Sequence, residues 1–170
     1  NIKSANPDII FAPSSITTAP LILKQAREMG ITAVIAAGDT WENATIIENA
    51  GADAEGAVLS TFFDEAAPAN DEAASFIKGF KEYLVSIGEP DIIPAVSALG
   101  YDAYLCLLQA IKDADSTDPA AVRDALENVS VTGVTGDISF NETGDANKSL
   151  AFIKTIKDGQ FQFLTTTTLE

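Results

Sequence analysis

Asp8-Ile9-Ile10-Phe11-Ala12 is a continuous apolar run held between Pro7 and Pro13, the pattern of a buried strand in a parallel sheet. Pro7 bars the residue before it from helical geometry, so Asn1 to Asn6 read as the polar end of a helix feeding a turn. From Thr17 onward, Ala19, Ile22, Leu23, Ala26 and Met29 recur at helical spacing, Pro20 falls in the tolerated first turn and Gly30 supplies a C-terminal cap. Thr32 to Ala36 is a second β-prone run, Asn43 to Ala50 a second short helix closed by Gly51, and Gly56 to Phe62 a third strand. Strand and helix alternate. Parallel neighbours cannot be joined by tight hairpins, so the alternation predicts right-handed crossovers in an α/β chain, with parallel strands at 8–12, 32–36 and 56–62 and helices wound on both faces.

The composition shifts at Asp64 to Asn70, a polar stretch containing Pro68 that suits a crossing between lobes. Asp71 to Gly88 places Ala73, Phe76, Ile77, Phe80, Leu84 and Ile87 on one helical stripe. Val96 to Asp113 is apolar nearly all round and is expected to be mostly buried, and Asp118-Pro119 supplies an N-cap and a first-turn Pro for a helix over 120–128. Thr132 to Gly136 reads as a turn-rich loop, Asp137 to Phe140 as a short strand and Asn141 to Asp145 as a turn. Ile153 to Lys157 and Gln160 to Phe163 flank Asp158-Gly159, the pairing a type I′ hairpin turn requires. The expected organisation is residues 1–63, 64–149 and a closing hairpin over 150–170, with Leu169-Glu170 read as a cloning residue.

A chain of 170 residues with 46% apolar and 21% charged residues can bury a core without disulfides. Its 25 acidic against 10 basic side chains, a net charge of −15, repel phosphate backbones and anionic headgroups, which argues against nucleic-acid or membrane-surface partners. Histidine is absent, which removes His-dependent nucleophile systems and imidazole metal sites. The single Cys106 lies within Tyr104-Leu105-Cys106-Leu107-Leu108 and is expected to pack as a small hydrophobe. No signal peptide opens the sequence, so an exported protein would have had it removed.

Ligands of open parallel sheets bind beyond the carboxyl ends of the strands. Two loops occupy that place, Pro13-Ser14-Ser15-Ile16 and Ala37-Gly38-Asp39-Thr40-Trp41, so Ser14, Ser15, Asp39, Thr40 and Trp41 should cluster on one edge. Each residue also has a purely structural reading. Asp39 with Glu42 has capping-box spacing, Ser14 and Ser15 are ordinary loop residues, and a lone Trp often packs in a core. Neither a Gly-x-Gly-x-x-Gly nor a Walker A loop is present, and no carboxylate pair is placed for acid–base work. Glu142 and Asp145 near Asp137 lack calcium-loop spacing and read as a solvated turn. These features favour a binding protein without cofactor over an enzyme.

Asn6-Pro7-Asp8-Ile9-Ile10-Phe11-Ala12-Pro13, Lys24-Gln25-Ala26-Arg27-Glu28-Met29-Gly30-Ile31, Gly38-Asp39-Thr40-Trp41 and Ala54-Glu55-Gly56-Ala57, followed in order by Gly100-Tyr101-Asp102-Ala103, Asp118-Pro119 and Gly133 to Phe140, resemble the branched-chain amino acid binding proteins of ABC importers. The resemblance implies a type I periplasmic-binding-protein fold, Rossmann-like sheets in two lobes closing over an amino acid. It covers only the C-terminal half of that family. By position, Asp39 matches the family's acidic residue that pairs with the ligand's α-ammonium, and Ser15 falls at another contact position. The units that hold the ligand's α-carboxylate have no counterpart here.

The resemblance therefore implies an extracytoplasmic, periplasmic or lipid-anchored solute-binding protein that delivers a branched-chain or other aliphatic amino acid to importer membrane subunits. The alternatives are a sensory or regulatory domain of the same fold and, more distantly, a small Rossmann-like enzyme. The chain by itself is expected to associate with the missing N-terminal half or another chain, through apolar surfaces near Phe76, Phe80 and Leu108.

Overall fold

Each apolar run of the first sixty residues forms a strand in the computed structural model, which describes residues 1–168. A single turn α1 (Ile2–Ala5) ends at Asn6 and leads through Pro7 to β1 (Ile9–Phe11), followed by α2 (Ala19–Glu28), β2 (Val34–Ala37), α3 (Ala44–Ala50) and β3 (Val58–Thr61). The strands pair in parallel in chain order, Ile9 opposite Val34 and Ala36 opposite Val58. Gly30 closes α2 with φ +72°, a region that disfavours any other residue. The Ile31 N–H returns 2.9 Å to the Ala26 carbonyl, a Schellman-type ending.

α2 and α3 pack into one cluster on the same face of the sheet, where successive crossovers of the usual right hand that step the same way place them, so these residues are not wound on both sides as the sequence predicts. On the covered face Ile35, Ala37 and Leu59 pack with Leu23, Ala26, Ile46 and Trp41; each fully buried Leu or Ile contributes roughly 1.5–3 kcal/mol. On the other face Ile9 and Phe11 of the edge strand β1 are 62% and 69% exposed. The continuous apolar run of β1 thus has only one side covered within this chain.

The same sheet is completed from the far end of the sequence. β7 (Leu150–Lys157) pairs antiparallel with β3, Val58 opposite Thr155, and β8 (Gln160–Thr168) lies beside β7, giving the order β1-β2-β3-β7-β8. Asp158 and Gly159 both have positive φ, +54° and +70°, as a type I′ turn demands. Their N–H groups donate to the Glu55 carboxylate at 3.0 and 2.7 Å. The strand runs to Thr168, beyond the Gln160 to Phe163 run read from the sequence, and Leu169-Glu170 lie outside the described residues.

The chain divides into two compact units, the first built from Asn1–Thr61 with Phe152–Thr167 and the second containing Phe62–Ala151. The second unit holds α4 (Asp71–Ser86), α5 (Ala95–Ala114) and α6 (Pro119–Leu126), with a small sheet of β4 (Ser130–Gly133), β5 (Gly136–Phe140) and β6 (Ala146–Asn147). Asn70 caps α4 by accepting from Ala73 N–H at 2.8 Å. Asp118 caps α6 by accepting from Ala120 and Ala121 N–H at 3.0 and 3.1 Å.

Three expectations fail here. The loop over 132–136 is a hairpin, with Gly133 opposite Gly136. α5 buries a single stripe, Ala95, Ala98, Asp102, Cys106 and Ala110, and leaves Val96, Tyr104 and Leu107 exposed. Phe76, Phe80 and Leu108 are half-buried, the two rings against Phe63 and Ile93, so they are not the uncovered surface the sequence suggests. Cys106 packs with Ala110, Val122 and Ile138.

Candidate functional site

β1 and β2 are adjacent and parallel, so the loops that follow them emerge at the same edge of the first unit's sheet. The Ala12 N–H donates to the Ala36 carbonyl at 2.8 Å and carries the pairing into the first loop. Beyond it, the Thr40 hydroxyl donates to the Ser14 carbonyl and the Trp41 indole N–H to the Ser14 hydroxyl, each at 3.3 Å. The structure therefore brings Ser14, Thr40 and Trp41 into direct contact. Ser15 sits in the same loop, but its hydroxyl is engaged by Thr17 and Thr18 at 2.9 and 3.0 Å, where α2 begins.

The second loop is organised residue by residue. Asp39–Trp41 form one 3-10 turn after Gly38, held by Trp41 N–H to Gly38 carbonyl at 3.1 Å and Glu42 N–H to Asp39 carbonyl at 2.9 Å. Trp41 is 0% exposed within the core, so it supports the turn from beneath, where its apolar ring is removed from water and its indole N–H still reaches the Ser14 hydroxyl. Glu42 runs inward, where one carboxylate oxygen pairs with the Lys154 ammonium and the other accepts from the Thr61 hydroxyl at 3.1 Å. Asn43 caps α3 by accepting from Thr45 N–H at 2.9 Å, which displaces the expected capping role of Asp39 with Glu42.

Every side chain from Thr40 to Asn43 is thus committed to the protein. Asp39 is half-buried, and its carboxylate has no hydrogen-bond or ion-pair partner among the described residues. A partly desolvated carboxylate with no internal partner is suited to an external cation, and a ligand ammonium offers both charge and donors.

Sequence reasoning missed Glu42 and Lys154 as a pair, since they are 112 residues apart. A local signal exists for the lysine: Ile153 and Ile156 are an odd number of residues apart and must face opposite sides of β7. Lys154 shares the buried side with Phe152 and Ile156. Asp102 was also missed as a buried group, although its spacing of four from Ala98 and from Cys106 places it on the buried stripe of α5.

The sequence matches the family described as periplasmic binding protein over residues 1–160. It is 31% identical over 146 residues to Leu/Ile/Val-binding protein homolog 1 of Brucella suis, an alignment covering 85% of this chain and 37% of that protein. A leucine-binding protein from Thermotoga maritima superposes with TM-score 0.84 at 33% identity over 98% of this chain and 46% of its own. A substrate-binding protein of an ABC transporter from Desulfitobacterium hafniense, in complex with Leu, does so with TM-score 0.76 at 27% identity over 96% of this chain and 45% of its own. The chain spans less than half the length of each of these proteins. They are solute-binding proteins rather than enzymes, and their fold is the type I α/β architecture expected from the sequence.

Proposed function

The chain belongs to the periplasmic binding protein family, and from that premise we propose that it captures an α-amino acid, branched-chain or otherwise aliphatic, and delivers it to the membrane subunits of an ABC importer. It does no chemistry on its cargo and needs no cofactor. The observation that carries this reading is the half-buried carboxylate of Asp39 at the carboxyl edge of a parallel sheet, without a hydrogen-bond or ion-pair partner among the described residues. Asp39 receives the ligand's α-ammonium, the hydroxyls of Ser14, Ser15 and Thr40 rim the site, and Trp41 supports it from below. The groups that hold the α-carboxylate belong to the part of the relatives that this chain does not span. The protein works outside the cytoplasm, in the periplasm or, from a Gram-positive source, on a lipid anchor. This chain by itself associates with another chain or with the part of the relatives that it does not span, and binds ligand far more weakly than a protein that contains both parts.

Calorimetric titration of the intact protein with an amino-acid panel, before and after Asp39→Asn, tests this. Leucine, isoleucine or valine is expected to bind, and the variant to lose more than about tenfold, because an ammonium left unpaired in a desolvated site costs about 2–5 kcal/mol. Wild-type affinity in Asp39→Asn would defeat the assignment.

A further inference from the structure

We infer that Glu42, Lys154 and Thr61 are positioning residues that hold the turn carrying Asp39 at a fixed height over the sheet, an inference that rests on Asp39 as the ammonium-binding group. The turn itself is short, with one 3-10 span over Asp39–Trp41. Such a turn has few internal bonds and poorer hydrogen-bond geometry than an α-helix, so its placement must come from outside it. Besides the Thr40 hydroxyl on the Ser14 carbonyl, two inward-facing side chains supply it. Trp41 is locked by burial, and Glu42 by an ion pair whose partners are only 6% and 8% exposed at their side chains.

The pair reaches across strands. Lys154 lies on β7 opposite Leu59 of β3, and Thr61, which donates to the second Glu42 oxygen, is the last residue of β3. One carboxylate therefore ties the ligand loop to two neighbouring strands. The Glu42 N–H is bonded to the Asp39 carbonyl at 2.9 Å, so a shift of Glu42 is passed directly to the peptide that carries the ligand carboxylate. Stability alone does not account for the arrangement, since a buried ion pair can usually be replaced by apolar groups without loss. A directional, two-oxygen anchor is what apolar packing would not reproduce.

The test uses the intact protein with the double replacement Glu42→Gln with Lys154→Met, which leaves no unpaired buried charge. Hydrogen exchange at residues 38–43 is read without ligand, and leucine affinity by calorimetry. The Trp41 and Glu42 amides should exchange about tenfold faster or more as the turn opens locally. Leucine affinity should fall by about the same factor while the melting temperature stays within a few degrees of wild type. Lys154→Arg, which keeps the charge, should restore both readings, and Thr61→Val, which removes one hydroxyl and is expected to fold in any case, should show a smaller loss of the same kind. Wild-type exchange and affinity in both the double variant and Thr61→Val would overturn the inference. Asp39→Asn separates the two ideas: it should cost more than about tenfold in affinity without changing exchange. If it leaves affinity intact the amino-acid reading fails, and exchange alone then decides for or against the anchor.

Discussion

Glu42 in the first unit and Asp102 in the second are both carboxylates carried below the surface, yet their partners differ in kind. Glu42 meets a lysine and a threonine hydroxyl brought from two strands. Asp102, 2% exposed, accepts from the Val134 and Thr135 N–H groups at 2.7 and 2.8 Å and from the Thr135 hydroxyl at 2.5 Å, all in the single turn between β4 and β5. The first arrangement joins segments distant in sequence through rotatable side chains. The second fastens a helix to one tight turn through rigid backbone donors, and it leaves so little room that a Cβ at Gly133 would lie 2.4 Å from the Asp102 carboxylate. The contrast separates an anchor that sets the position of a loop from one that sets the shape of a core.

The largest effect should come from breaking the second kind. Asp102→Ala strands two backbone donors and a hydroxyl, each worth about 1–3 kcal/mol when buried and unsatisfied, so urea unfolding should show a loss of roughly 3–9 kcal/mol. Gly133→Ala should be destabilising through the same contact, since the carboxylate cannot yield without losing its bonds.

Next in size, Lys154→Met by itself should cost about 3 kcal/mol because it removes the ion-pair partner of the buried Glu42 carboxylate. Adding Glu42→Gln should recover most of that stability in the same denaturation experiment. If the single and double variants are equally unstable, the pair packs a core as Asp102 does and the contrast drawn above fails.

Asp39→Asn should change unfolding free energy by no more than about 0.5 kcal/mol, as expected for a side chain with no partner among the described residues. A large loss would mean that Asp39 belongs with the structural carboxylates.

The smallest effect concerns pH. Lys148 bonds to the Thr135 hydroxyl and carbonyl, and burial lowers its pKa from the ordinary 10.5, against the opposing pull of Asp102. The unfolded chain then binds the proton more tightly, so stability rises with pH between the lowered folded value and 10.5, and is lost again as pH falls through the folded value. Cys106 has the opposite sign. Burial, aided by Asp102, raises its thiol from the ordinary 9.0, so stability declines once pH passes 9.0 and the unfolded thiol ionises first. Denaturation midpoints from neutral pH to 10.5 should steepen downward in Lys148→Met and flatten in Cys106→Ala.

Much of this was legible in local sequence. Pro7 and Pro13 bracket β1, Asp118-Pro119 starts α6, and Asp158-Gly159 turns the last hairpin, because each depends on the φ preferences and hydrogen-bonding side chains of residues within a few positions. β4 was not legible. Thr132-Gly133 beside Gly136 carries turn chemistry, and pairing with β5 is what makes Ser130–Gly133 a strand. The burial of α5 was misread because an apolar ring all round does not say which side meets a neighbour.

For the candidate site the division is similar. The sequence by itself determined that Ser14, Ser15, Asp39, Thr40 and Trp41 follow two strands of a parallel sheet, since alternating strands and helices place such loops at one edge. Tertiary structure alone decided which of them turn inward. Trp41 is drawn under the loop by its apolar area, Asn43 takes the cap that Asp39 could have taken, and Glu42 is claimed by Lys154 from the opposite end of the chain. Long-range pairing of charge depends on which strands become neighbours, and that follows from the whole sheet rather than from any stretch of residues within it.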